Sequence, residues 1–318
     1  MDHHHTTVAK PGLKTAAVAL TLALGVTACA APAATSGGND KTISVEHAQG
    51  TTDVPVNPEK VFTFDLGVLD SLDELDVDVA GVPEAIYPEP VKEAAEEAAV
   101  KIGTMKEPDF EKINAEAPDL IIITGRTADS YEELSKIAPT INLSLDNNDV
   151  LGSFEQQVQT LGKIFDKEDV VEEELSELSN DIEEAKAAVS EAGKGLIVMT
   201  SAGELTAYGE ESRFGLIHQQ LGIEEATTVK AEGPHGQSVS FEFLAQTNPD
   251  LLFVVDRDSA VGESGHNAKA TLDNALVSKT KAAKNEKIVY LDSGTWYNVG
   301  PGLGTLDDMI EEVVEGTK

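Results

Sequence analysis

Three arginines stand against 20 lysines in this chain of 318 residues, and none of the three lies in a plain surface helix. Arg126 and Arg257 hold matching places in an internal repeat. Asp109-Phe-Glu-Lys-Ile-Asn-Ala-Glu-Ala-Pro-Asp-Leu-Ile-Ile-Ile-Thr-Gly-Arg126 aligns without gaps to Ser240-Phe-Glu-Phe-Leu-Ala-Gln-Thr-Asn-Pro-Asp-Leu-Leu-Phe-Val-Val-Asp-Arg257, with six of 18 positions identical. Arg213 lies in Tyr208-Gly-Glu-Glu-Ser-Arg-Phe-Gly215, a turn ahead of a helical stretch. A guanidinium is a flat, permanently charged fork that clamps oxyanions and lies on aromatic faces. Three of them in one cleft would make a positive site inside a strongly negative protein. The bland alternative is local pairing, since Asp256 and Asp258 flank Arg257 and Glu210 and Glu211 precede Arg213.

Two further side chains could do chemistry. His235 lies in Gly233-Pro-His-Gly-Gln237, and Tyr297 follows Trp296 in Ser293-Gly-Thr-Trp-Tyr-Asn-Val-Gly-Pro-Gly-Leu-Gly304. Both are expected in loops. Imidazole nitrogen and phenolate oxygen are good donors to Fe(III), although a loop histidine is more often merely solvated and a tyrosine beside tryptophan is often packing. No G-x-S-x-G, P-loop or H-E-x-x-H occurs, which weighs against an enzyme.

The only cysteine has a different use. Lys10 and Lys14 precede an apolar run of 14 residues that ends at Val26-Thr27-Ala28-Cys29. That length suits a signal-peptide core and is short for a membrane span. Small residues just before a lone cysteine resemble a bacterial lipobox, in which Cys29 is lipidated and becomes the new N-terminus. Residues 1–28 are then a lipoprotein signal peptide and 29–41 a flexible tether of small and polar residues. Cleavage would remove Lys10, Lys14 and Asp2 and leave 21 basic against 56 acidic residues. Such an acidic surface excludes nucleic acid as a general partner and repels anions.

The elements that must position these residues alternate. Apolar, β-rich runs at Val61–Phe64, Val77–Val82, Leu120–Thr124, Leu196–Thr200, Leu251–Asp256 and Ile288–Leu291 alternate with helical stretches at Leu66–Leu75, Pro90–Ala99, Phe110–Ala117, Tyr131–Lys136, Phe154–Phe165, Phe214–Leu221 and Phe241–Gln246. This is the pattern of an α/β fold with mainly parallel sheets. Residues 166–192 carry apolar side chains at helical spacing with no Gly or Pro, enough for a rod of about 40 Å. The expected plan is an N-terminal α/β lobe over 42–165, one long backbone helix over 166–192, and a C-terminal α/β lobe over 193–318. Each copy of the repeat places its arginine at the carboxyl end of a buried strand, where open α/β sheets bind ligands. If the lobes face each other, Arg126 and Arg257 point at one place.

From Val61 to Met309 the chain resembles the helical-backbone class of ABC-transporter substrate-binding lipoproteins, a periplasmic-binding-protein-like fold. More narrowly it resembles the catecholate-siderophore branch of petrobactin- and enterobactin-type binders. The motifs that carry this are Pro118-Asp-Leu-Ile-Ile-Ile-Thr-Gly-Arg126, Tyr208-Gly with Ser212-Arg-Phe-Gly215, His235-Gly with Ser240-Phe-Glu242, Asn248-Pro-Asp-Leu251 with Asp256-Arg257, and Trp296-Tyr297. The resemblance implies that Arg126, Arg213 and Arg257, with Tyr208 and Trp296, surround catecholate oxygens, and that His235 and Tyr297 can fill iron positions left open by a tetradentate siderophore. It implies no permanently bound cofactor, with Fe(III) arriving as a ferric siderophore. It implies a monomer that is anchored outside the cell membrane by lipid and hands its cargo to ABC-importer permease subunits, with carboxylates such as Glu84 or Glu89 and Glu210 or Glu211 docking to the permease. Gly300-Pro-Gly302 departs from the plainer Gly-Gly of relatives. Haem, cobalamin or another metal chelate on the same fold, and a secreted lipid-anchored enzyme, are the alternatives.

Overall fold

The computed structural model describes residues 41–230 and 235–318; the expected signal peptide and nearly all of the tether, Cys29 included, lie outside the described residues. The chain opens with an antiparallel hairpin of β1 (Thr42–His47) and β2 (Gly50–Pro55). The first large sheet has five parallel strands: β3 (Val61–Thr63), β4 (Gly81–Glu84), β5 (Val100–Thr104), β6 (Leu120–Ile123) and β7 (Thr140–Asn142), in the order β5-β4-β3-β6-β7. The second has the order β10-β9-β8-β11-β12, built from β8 (Gly195–Ser201), β9 (Glu204–Tyr208), β10 (Gln237–Val239), β11 (Leu251–Asp256) and β12 (Ile288–Tyr290). Here β8, β10, β11 and β12 run in one direction and β9 alone runs against them. The cause is a two-residue turn between β8 and β9. Ala202 and Gly203 both take positive φ, 51° and 80°, the hairpin geometry that folds the chain straight back.

The repeat folds as one unit copied twice. Asp109 caps the Phe110–Glu116 helix by accepting from the Lys112 amide, and Ser240 caps Phe241–Thr247 by accepting from the Phe243 amide. Each helix ends in a left-handed residue, Ala117 at φ 47° and Asn248 at φ 48°. The Asp of each Pro-Asp turn then reaches sideways: the Asp119 carboxylate accepts from the Lys60 amide at 2.8 Å and that of Asp250 from the Lys194 amide at 3.1 Å. Those amides sit at the starts of β3 and β8, so the same device clamps β6 to β3 and β11 to β8. All side chains of β6, and all of β11 except Asp256, are buried, as continuous apolar runs require.

Between the sheets in sequence runs a 22-residue helix, Glu168–Val189, about 33 Å long. Its buried stripe is Val171, Leu178, Ile182, Ala185 and Val189, which joins Leu161, Phe165, Met309 and Val313 in the main core. A helix absent from the sequence expectation, Leu303–Thr317, packs on this helix and on Leu66–Glu74. It returns the chain end to the first lobe. The crossing is made close by glycine: a side chain at Gly302 would collide with the Asp70 carboxylate and the Gly67 carbonyl.

Two local expectations need correction. The fourth strand begins at Gly81, not Val77: the Val77 amide bonds back to the Leu72 carbonyl of the preceding helix at 2.9 Å rather than to a strand. Tyr297 sits not in an open loop but in a wide π-helical turn, Gly294–Val299, which ends at Gly300 with φ 79°.

Candidate functional site

In each sheet the strand order reverses beside the central strand, between β3 and β6 and between β8 and β11. Crevices form at such reversals outside the carboxyl ends of the strands. Arg126 follows β6 and Arg257 follows β11, so the repeated arginine marks the crevice in both sheets. Arg213 comes from the turn after β9.

All three converge on Tyr297. Their guanidinium carbons lie 5.6, 4.9 and 6.0 Å from its ring centroid for Arg126, Arg213 and Arg257. Two also hold its backbone. Arg126 Nη2 donates to the Tyr297 carbonyl, and Arg126 Nη1 to the Asn298 carbonyl at 3.0 Å. Arg213 Nη2 donates to the same Tyr297 carbonyl at 2.7 Å. Carbonyls near the end of a helical turn carry partial negative charge and lack partners within the turn, which suits them to a cation. Arg126 also rests on Met105, with Nη1 at 3.2 Å from Sδ.

Among the described residues neither Arg126 nor Arg213 forms an ion pair with a carboxylate. Arg257 does, with Glu263 at 3.3 Å and Asp258 at 3.6 Å. Asp256 instead caps the short helix that follows, and Glu210 and Glu211 are exposed and unpaired with Arg213. Burial, and then the neighbouring Arg126 charge, pull the Arg213 guanidinium down to about 10. Arg257 moves the other way, raised first by hydrogen bonding to the Tyr297 side chain. Protein donors for a metal are few at this point, since guanidiniums do not coordinate; the Tyr297 phenol is the one facing all three arginines.

The remaining expected site residues fall in different places. Tyr208 is buried, its ring edge-on to Phe214 at 4.8 Å, and burial raises its phenol. His235 is exposed in the turn before β10, and the adjoining Gly236 lies against the Tyr208 ring. Trp296 departs from expectation. It is 1 % exposed and donates its indole N–H to the Glu312 carboxylate at 2.7 Å, so it faces the core rather than the crevice. Successive side chains on a helical turn point in different directions, which is why Tyr297 can face the arginines while Trp296 faces the core. Glu84 and Glu89 are exposed, with Glu89 paired to Lys92 at 2.8 Å. The sequence reading missed Met105 and Asn298. No motif marks either one; only their contacts with Arg126 reveal them.

The chain is 42% identical over 94% of its length to the petrobactin-binding protein YclQ of Bacillus subtilis, covering 96% of that protein. The crystal structure of YclQ superposes with a TM-score of 0.84 over 87% of this chain and 99% of that one. The ferric-anguibactin-binding protein FatB of Vibrio anguillarum is 33% identical over 86% of this chain and 87% of its own length. The periplasmic catecholate-siderophore binding protein VctP of Vibrio cholerae gives a TM-score of 0.81 at 33% identity, over 86% of this chain and 99% of that one. The model of one family matches residues 61–295, most of both lobes: the chain belongs to the periplasmic binding protein family.

Proposed function

We propose that this chain captures an anionic ferric siderophore of the catecholate type outside the cytoplasm and delivers it to an ABC importer for iron uptake. The observation that carries this reading is the convergence of Arg126, Arg213 and Arg257 on one tyrosine, two of them without a carboxylate partner among the described residues. A tris-catecholate ferric complex is trianionic, so three guanidiniums balance it, and attraction in a partly dry crevice far exceeds its value in water. The strongly acidic surface repels anions in general; the crevice is where one is admitted. The relatives named for petrobactin, anguibactin and catecholate siderophores support the same ligand class. Tyr297 and His235 would complete the iron coordination of a tetradentate ligand and leave a hexadentate one unaided. The chain binds and releases its cargo without a chemical step and works as a monomer. The exposed Glu84, Glu89, Glu210 and Glu211 offer the permease a carboxylate on either lobe.

Trp296 provides the test. It is the only tryptophan, and it adjoins Tyr297. A coloured iron complex bound at the arginines lies close enough to quench it although its ring is buried. Saturable quenching of the soluble domain by ferric petrobactin and ferric enterobactin, with none by ferric hydroxamates, is the expected result. Quenching by haem or cobalamin instead would replace the ligand class and keep the fold. The address has its own test: Cys29→Ala releases the protein from the membrane fraction into the medium, and a variant still retained there would contradict the lipid anchor.

A further inference from the structure

Asn298 borders the arginine group without belonging to it, through Arg126 and through the helix that begins at Arg257. Its backbone carbonyl accepts from Arg126. Its side-chain Nδ2 donates at 2.7 Å to the carbonyl of Ala260, the last residue of the one-turn helix that begins at Arg257, and reaches the Ile86 carbonyl of the first lobe at 3.5 Å. The residue is 3 % exposed, and its Oδ1 has no hydrogen-bond partner among the described residues. A buried amide oxygen left unpaired is costly. Leucine has nearly the same shape and would remove the unpaired oxygen at the cost of the Ala260 carbonyl's donor, so stability alone favours neither residue. What the amide supplies is its donor, directed at the Arg257 helix and at the opposite lobe.

Resting on the siderophore reading above, we propose that Asn298 is the positioning residue of the arginine group. Its amide locks the Arg257 helix, and with it the Arg257 guanidinium, at a fixed spacing from the Tyr297 and Asn298 carbonyls that hold Arg213 and Arg126. A trianion that must meet three guanidiniums at once is sensitive to that spacing, because the forks are directional donors. The lock acts through Arg257. Arg126 has its own bonds to the main chain, and those survive loss of the Asn298 side chain.

The test is a double-mutant cycle with ferric petrobactin as the probe, using Asn298→Leu, Arg257→Ala and the two combined. In the wild-type background N298L weakens binding about tenfold while the empty protein still melts cooperatively within a few degrees of wild type, since removing the unpaired oxygen offsets the lost donor to the Ala260 carbonyl. In the Arg257→Ala background the same substitution changes affinity less than about twofold, since the group it positions is gone. Wild-type affinity in N298L, or an undiminished loss in the Arg257→Ala background, would overturn the proposal. If N298L does not fold, Asn298→Ala enters the same cycle. A wild-type protein that fails to bind the probe removes the siderophore reading and this proposal together, whereas binding by wild type with an inert Asn298 removes only the latter.

Discussion

Arg213→Met lowers affinity for a ferric tris-catecholate by one to two orders of magnitude and leaves the empty protein as stable as before, or more so. Both halves follow from the position of one guanidinium. Arg213 is held by the Tyr297 carbonyl, stacked 5.2 Å from the Phe214 ring, and pulled down to about 10 by burial and by Arg126. A cation in that state is poorly solvated and repelled by its neighbour; no carboxylate among the described residues pairs with it, and Asp65 offsets the repulsion only weakly. The empty site therefore stores an unfavourable interaction that an incoming anion reverses. A charge-assisted contact is worth about 1.5–3 kcal/mol, which is roughly 10- to 150-fold in affinity. Methionine keeps most of the side-chain volume and removes the charge, so packing on Phe214 survives. Arg213→Lys keeps the charge but not the fork and falls between the two. Arg257→Ala costs less than Arg213→Met, because Glu263 and Asp258 already neutralise part of its charge. Isothermal titration on the variants, with melting curves of the empty proteins, checks both halves. Unchanged affinity in Arg213→Met would remove this arginine from the site, and a drop in melting temperature of many degrees would make it a structural anchor instead.

How much of this was legible in the sequence depended on whether a residue's role is set locally or across the fold. The two repeated strands and their capped helices could be read because each is specified within 18 residues: a capping Asp109 or Ser240, a Pro-Asp turn, a continuous apolar run. The long helix was legible from its spacing, and it begins two residues later and ends three earlier than expected, at Glu168 and Val189. The antiparallel strand β9 was missed because its signal is the two-residue turn Ala202-Gly203, and alanine at φ 51° is not a residue from which such a turn is read. The Leu303–Thr317 helix could have been found, since Leu303, Leu306, Met309, Ile310 and Val313 recur at helical spacing. At the site, rarity and placement picked out three arginines that the fold gathers around Tyr297. Trp296 was misassigned, because adjacency in sequence to Tyr297 says nothing about direction on a π-helical turn. Asn298 was invisible, since its partners Arg126, Ile86 and Ala260 lie 172, 212 and 38 residues away.

The protein is expected to be more stable at pH 5 than at pH 7.5, against the usual behaviour of carboxylate-rich proteins, and Asp70 is the main reason. Its carboxylate is buried at the start of the Leu303–Thr317 helix, where it accepts from the Gly304 and Thr305 amides at 2.9 and 3.0 Å and from the Thr305 hydroxyl at 3.2 Å. Those bonds favour the charged form, yet burial outweighs them, with Glu74 adding repulsion, and Asp70 is raised to about 6. Asp307, on the same helix, is also raised to about 6, by burial and by Asp181, Glu174, Asp308 and Glu177 around it. In the unfolded chain both groups titrate near 4. Between about pH 6 and pH 4 the folded state therefore binds more protons than the unfolded one, and stability rises as pH falls through that window and is lost again as pH climbs past 6. For the deeply buried Asp70 the gain is on the order of 2 kcal/mol. The half-buried Asp307 adds less. General repulsion among the many surface acids acts in the same direction, but salt screens it, so the comparison is made at high ionic strength, where the buried groups decide it: Glu312, also raised by burial, adds to Asp70, and the buried His218, lowered by burial, opposes them. Asp70→Asn preserves an acceptor for the helix amides and removes the buried charge, and it should flatten the pH dependence while raising the melting temperature at pH 7.5. A melting temperature higher at pH 7.5 than at pH 5 in the wild type, or an unchanged pH slope in Asp70→Asn, would show that the capping bonds outweigh the burial of this carboxylate.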